Sequence, residues 1–328
     1  MTTFPVTAST LSEKDLGRFI IEKYDLNERF ECKLFRTGVN HTYFISDPNT
    51  RYVVRVYCHK WRTKTEIQEE LRLLNTLKNN NLSVSFPIAD KNAELIHEIN
   101  APEGIRYVVL FSFADGGKKR FLTNKNCFSI GSLIAKIHNV TAGEKIARIH
   151  YDSEILLRKP YDQLKQYFSE DLNEMKLLRQ IVDKISKSFQ ETKFKLSQKG
   201  IVHLDIWYDN LSVNNENDLT IFDFDNCGNG LLILDLAYFC KQLFFIEQDK
   251  NQYESKVKSF LEGYRESREL LDEDLELIPE AGASIFIYYL GIQAQRFDWS
   301  NIFLTENYLK MFVGRIMDWC NYHAIEKS

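Results

Sequence analysis

The segment from Gly200 to Asp225 constrains this chain more than any other stretch. It reads Gly-Ile-Val-His203-Leu204-Asp205-Ile-Trp-Tyr-Asp-Asn210-Leu-Ser-Val213, then, after five turn formers, Leu219-Thr-Ile-Phe-Asp223-Phe-Asp225. Two short apolar runs, 211–213 and 219–222, flank the turn cluster 214–218, which predicts a hairpin. Asn210 precedes the first run and Asp223 follows the second. In an antiparallel pair those positions lie at the same end of the ladder. The hairpin thus delivers an amide oxygen and a carboxylate to one place, with Asp205 five residues upstream of Asn210. Hard oxygen ligands of this kind suit Mg²⁺, which takes one or two carboxylates plus substrate phosphates. A further carboxylate, free of the metal, can accept a hydroxyl proton. That is a layout for phosphoryl transfer.

The rest of the chain changes character near residue 114. Before it, the runs 41–46 and 51–57 are β-branched and aromatic, with Asp47-Pro48-Asn49-Thr50 between them, and predict a hairpin. Ile67, Leu71, Leu74 and Leu77 repeat at helical spacing. The run 105–113 predicts a buried strand, ending at the breaker Ala114-Asp115-Gly116-Gly117, a plausible hinge. After it, Ile130, Leu133, Ile134 and Ile137 mark a helix, and long helical stretches cover about 152–198 and 234–322. The expected class is α+β. A small lobe of antiparallel sheet plus helix covers 1–114, and a larger, mostly helical lobe covers 115–328.

Composition excludes several functions. Among 328 residues, 42 Lys and Arg face 46 Asp and Glu, a net charge of −4, which does not fit a globally basic nucleic-acid binder. Six scattered cysteines, with no CxxC pair, suit a reduced cytoplasmic chain. Seven histidines show no paired spacing for zinc. The N-terminus lacks a secretory pattern, and the longest apolar runs, such as 285–292, are too short to span a bilayer. The expectation is a soluble protein without nucleic-acid or membrane partners.

His203-x-Asp205-x4-Asn210 followed by Asp223-Phe224-Asp225 resembles the catalytic and metal loops of the protein-kinase-like superfamily. The closer likeness is to its branch of aminoglycoside phosphotransferases, choline kinases and type II homoserine kinases. Leu204 stands where that branch usually has Gly. Other pieces follow in order. Thr37-Gly38-Val39-Asn40 resembles the nucleotide loop, and Tyr52-Val53-Val54-Arg55 the strand ending in a phosphate-binding cation. Glu70 matches the helix Glu that pairs with that cation. Val109-Leu110-Phe111-Ser112-Phe113 resembles the adenine-holding hinge strand, Ser132 to His138 the "LLAxLH" helix, and Leu234-Asp235-Leu236-Ala237 the "DLA" helix.

The resemblance implies a bilobal kinase-like fold that binds ATP and Mg²⁺ between its lobes. By it, Asp205 orients the acceptor hydroxyl, and Asn210 and Asp223 hold the metal. Asp225 either touches a second metal or closes a turn. Arg55 and Glu70 position phosphates. Gly38 and Asn40 line the nucleotide loop, and Leu110, Phe111 and Phe113 the adenine site. His203 is read as a structural hydrogen-bonder and Asp235 as the brace of the catalytic loop. Only 11 residues separate Asp223 from Asp235, too few for a protein kinase's activation segment. That favours a small acceptor, and the resemblance implies a hydroxyl compound like homoserine, choline or an aminoglycoside, with Arg296 and Trp299 as candidate pocket residues. The acidic run 272–276 reads as a solvated helix start. The rival readings are a stress-response Ser/Thr protein kinase and a nucleotide-binding pseudokinase, the latter suggested by Arg55 and the glycine-poor loop.

Overall fold

Asp47 makes the first turn. Its Oδ1 accepts the amides of Asn49 at 2.9 Å and Thr50 at 2.7 Å, so residues 47–50 close a tight hairpin. The computed structural model in which this is seen describes residues 4–191, 195, 198–214, 218–296 and 301–325. The chain divides into one unit of 1–115 with 220–222, and a second of 116–219 with 223–328.

In the first unit the hairpin strands are β2 (Asn40–Ser46) and β3 (Arg51–Tyr57). They join β1 (Glu31–Arg36), β4 (His97–Ala101) and β5 (Gly104–Ser112) in an antiparallel sheet of order β1-β2-β3-β5-β4. Successive side chains alternate between faces. Tyr43, Ile45, Val54, Val56, Val108 and Leu110 bury one face against Leu16 and Ile20 of helix α1 (Glu13–Tyr24). The opposite register of β3 carries Val53, Arg55 and Tyr57. Helix α2 (Lys64–Asn79) starts at a reciprocal cap between Thr63 and Glu66 and buries Ile67, Glu70, Leu71, Leu74 and Leu77. The run 105–113 is less uniform than its sequence suggests. Ile105 is exposed, whereas Arg106 is buried because its guanidinium finds the carbonyls of Tyr57 at 3.0 Å and Ser9 at 2.8 Å.

The second unit is mostly helical. It contains α3 (Asn124–Thr141), α4 (Lys159–Leu164), α5 (Asn173–Glu191), α6 (Ile233–Ile246), α7 (Lys250–Arg265), α8 (Asp272–Gln295) and α9 (Glu306–Tyr322). Between α5 and α6, β6 (Lys199–Val202) pairs antiparallel with β9 (Gly228–Leu231), and β7 (Leu211–Val213) pairs with β8 (Leu219–Ile221). The α3–α7 crossing needs glycine. A Cβ on Gly131 would sit 1.9 Å from the Phe260 carbonyl oxygen, and one on Gly263 2.0 Å from that of Phe128. Gly116, at φ +106°, bends the breaker so that Gly117 bridges to Val213. There too a Cβ would collide with the Val213 backbone, at 2.5 Å.

The α+β class holds, with an antiparallel sheet in one unit and helices dominating the other. The apolar run 285–292 lies inside a longer helix. Helix α8 has 24 residues and is long and apolar enough to cross a membrane by length and composition. In this fold 61% of its apolar window is buried, so its apolarity serves a helical core.

Candidate active site

The loop after β6 is held from below by Asp235, in the first turn of α6 and wholly buried. Its carboxylate accepts the amide of His203 at 2.9 Å, the amide of Leu204 at 2.7 Å, and a bond from His138 Nε2 at 3.1 Å. His138 Nδ1 in turn meets the Tyr264 hydroxyl at 2.8 Å. A carboxylate this deep needs donors on both oxygens, and it has them. The arrangement fixes the backbone where Leu204 takes φ +59°, the left-handed region that costs an L residue about 1–2 kcal/mol. The far side of that residue is also fixed, since the Tyr289 hydroxyl donates to the Leu204 carbonyl at 2.8 Å.

The loop then presents Asp205. Its Oδ1 accepts the Tyr238 hydroxyl at 2.5 Å, and its Oδ2 accepts Asn210 Nδ2 at 2.8 Å. The same Asn210 nitrogen reaches the Asp205 carbonyl at 3.0 Å. The Asp205 amide donates to His203 Nδ1 at 3.2 Å, while the His203 ring tilts onto Phe224 with centroids 4.3 Å apart. His203 is thus a local acceptor and spacer. Burial raises the pKa of Asp205, and the charge of Asp223 raises it further, against the lowering effects of Tyr238, His203 and Asn210. Burial and the charge of Asp205 push the Tyr238 and Tyr289 hydroxyls well up, so both stay neutral donors.

Because its nitrogen is spent on Asp205, Asn210 has its amide oxygen left for a further partner. Asp223 follows β8 at φ +65° and opens the short 3-10 turn Phe224–Asn226. Asp225 in that turn is 5% exposed, and its carbonyl accepts from the Arg148 guanidinium. The amide oxygen of Asn210 and the carboxylates of Asp223 and Asp225 are of the hard-oxygen type that suits Mg²⁺. Among the described residues no three His, Cys, Asp or Glu side chains form a metal cage. A metal held partly by substrate phosphates needs no such cage.

The first unit carries a second cluster. Arg55 Nη1 lies 2.9 Å from Glu70 Oε1, with Glu70 wholly buried, and the Tyr57 hydroxyl donates to Glu70 Oε2 at 3.1 Å. The Arg55 guanidinium also sits 5.0 Å from the Phe111 ring centroid. Glu69, one position from Glu70, pairs outward with Arg72. Gly38 takes no left-handed φ and a Cβ there would meet nothing closer than 3.8 Å, so this loop does not require glycine. The Asn40 Oδ1 is buried without a hydrogen-bond partner among the described residues. Leu110 faces the sheet's core, and its carbonyl accepts the Ile88 amide at 2.8 Å. Phe113, past the end of β5, is half-buried against Phe44 and Arg51.

Arg296 follows α8 as its C-terminal cap, half-buried. Trp299 lies outside the described residues. Sequence reasoning missed four groups. Tyr238 and Lys241 lie on α6, Tyr289 lies on α8, and His138 ends the "LLAxLH" stretch. Only His138 had a signal, since it closes a motif already singled out. Lys241 is 3% exposed, and its Nζ stands 4.2 Å from the Tyr238 ring centroid, 4.4 Å from Phe286 and 5.7 Å from Tyr289. Burial lowers its pKa to about 7.

Comparison with known proteins gives three findings. The model of the phosphotransferase enzyme family matches residues 31–270. A homoserine kinase of Agrobacterium fabrum is 25% identical over 272 residues, covering 82% of this chain and 81% of its own. Two solved structures share the fold at 20% identity and a TM-score of 0.77. One is an amicoumacin kinase in complex with AMP-PNP, Ca²⁺ and Ami, covering 94% of both chains. The other is a microcompartment-associated aminopropanol kinase, covering 95% of this chain and 96% of that one.

Proposed function

We propose, because this chain belongs to the phosphotransferase enzyme family, that it transfers the γ-phosphoryl group of Mg·ATP to a hydroxyl of a small molecule. The observation that carries the reading is Asp205, pinned by Tyr238 and Asn210 beside the charge of Asp223. A carboxylate fixed at both oxygens is poised to orient an acceptor hydroxyl and take its proton. Asn210 and Asp223 would hold Mg²⁺, which supplies charge neutralisation on the transferred phosphoryl group. In the first unit, Arg55, oriented by Glu70 and packed on the buried Phe111 ring, would contact phosphate oxygens, and Phe113 would offer apolar surface to adenine. Asn40 offers its amide to the phosphates.

A small acceptor is favoured over a protein. Between Asp223 and α6 the chain is already committed to a 3-10 turn and to β9, with no free activation segment. The similar proteins are named as kinases of homoserine, amicoumacin and aminopropanol, which agrees with this. The intact Arg55–Glu70 pair argues against a pseudokinase.

The test is Mg²⁺-dependent transfer of label from ATP to homoserine, 3-amino-1-propanol, choline, an aminoglycoside and casein in parallel. Label on a small molecule is the expected result. Label on casein alone, or none on any small acceptor despite tight Mg·ATP binding, would overturn the choice of acceptor class.

A further inference from the structure

The ammonium of Lys241 has no role in the reaction just described. It is 3% exposed, with three aromatic rings around it and no carboxylate within 4.0 Å among the described residues. Ring faces attract a cation but do not replace its hydration or accept its three hydrogen bonds. A buried ammonium is ordinarily paired, as Lys256 is with Glu247 at 2.5 Å elsewhere in this unit. Lys241 lacks that, although its surroundings are dry enough to bring its pKa to about 7.

Its place is specific. Lys241 shares Tyr238 with Asp205. The ammonium lies over that ring, and the hydroxyl of the same residue bonds the carboxylate at 2.5 Å. Tyr289, the more distant ring, bonds the loop at Leu204. A cation and the hydroxyl-orienting carboxylate are thus separated by no more than one tyrosine side chain and its two contacts. The charged group that acts on Lys241 is Asp205, which bonds the hydroxyl of the tyrosine under the ammonium and forms no ion pair with Lys241 within 4.0 Å. No carboxylate of the described residues pairs with the ammonium directly, so a bound acid is a fitting partner for it.

We propose that Lys241 reads a carboxylate on the acceptor, so that the substrate is a short hydroxy acid or hydroxy amino acid, with its hydroxyl at Asp205 and its carboxylate at Lys241. A single carboxylate matches a single ammonium, whereas a second phosphate would call for more cations. The aromatic walls would exclude water from the pair and lie along an aliphatic spacer. The inference rests on the phosphotransfer reading for the hydroxyl end and on Lys241 alone for the acid end.

The experiment uses matched acceptors on the full-length enzyme. Homoserine and 3-amino-1-propanol differ only in the carboxylate, and 4-hydroxybutyrate keeps the acid without the amine. In Lys241→Met, the loss of kcat/KM for homoserine should exceed that for 3-amino-1-propanol by roughly 10- to 100-fold, carried by KM. Lys241→Arg should recover part of it. Calorimetric binding of 4-hydroxybutyrate should weaken by at least about 10-fold in Lys241→Met, which should melt no lower than wild type. An equal fall in kcat for both acceptors would show that Lys241 serves Asp205 instead, and would overturn the inference. So would unchanged acid binding in the variant. If no acceptor is phosphorylated, the choice of acceptor class fails on its own. The calorimetry then still decides: acid binding lost with Lys241 upholds the site, and equal or absent binding removes it.

Discussion

Leu204 sets backbone strain against side-chain burial. Its backbone occupies a region that glycine enters freely, yet its side chain is fully buried. Glycine there would relieve about 1–2 kcal/mol of strain. It would also cost the core a leucine, about 2–5 kcal/mol on the scale of large-to-small substitutions, and add unfolded-chain entropy. Burial wins, so Leu204→Gly should destabilise the protein by about 1–3 kcal/mol in urea denaturation, while phosphate transfer persists. A stabilised variant would mean that the strain outweighs the burial. The departure at Leu204 is visible in the sequence. Its resolution is not, because the anchors are Asp235 and Tyr289, 31 and 85 residues away.

At the scale of elements, α6 organises the site. Asp235, Tyr238 and Lys241 fall at i, i+3 and i+6 along it, placing the brace, the hydroxyl on Asp205 and the buried ammonium on one helix. Asp235→Asn keeps the shape but turns one acceptor oxygen into a donor facing donors. We expect a loss of about 3 kcal/mol in stability and a fall in kcat with the KM for ATP little changed, read by denaturation and steady-state kinetics. A parallel rise in the KM for ATP would place the brace's effect elsewhere. The motif around Asp235 was legible because its neighbours repeat a known pattern. Tyr238 and Lys241 were not, since an apolar helix with a buried tyrosine and lysine reads as core until the partner helix α8 is seen. Helix α1 was missed for a related reason. Its signal is only the Ser12 cap with Leu16 and Ile20, and the sheet it packs on supplies most of its stability.

At the scale of the molecule, the sequence carried the class of each half, because strand and helix periodicity change character near residue 114. It also carried the ordered motifs that bring Asp205, Asn210 and Asp223 into one unit and Arg55 and Glu70 into the other. The acceptor end proposed at Lys241 stayed hidden, because the side chains of α6 and α8 around it meet only in three dimensions, and Trp299 lies outside the described residues. Helix α8 shows the limit from the other side, since composition alone cannot tell a membrane span from a core helix. The central claim remains the role of Asp205, and single-turnover phosphate transfer by Asp205→Asn, with Mg·ATP affinity measured on the same sample, tests it most directly. The account predicts a rate roughly 10²- to 10⁴-fold lower with nucleotide affinity nearly unchanged. An unchanged rate would contradict it.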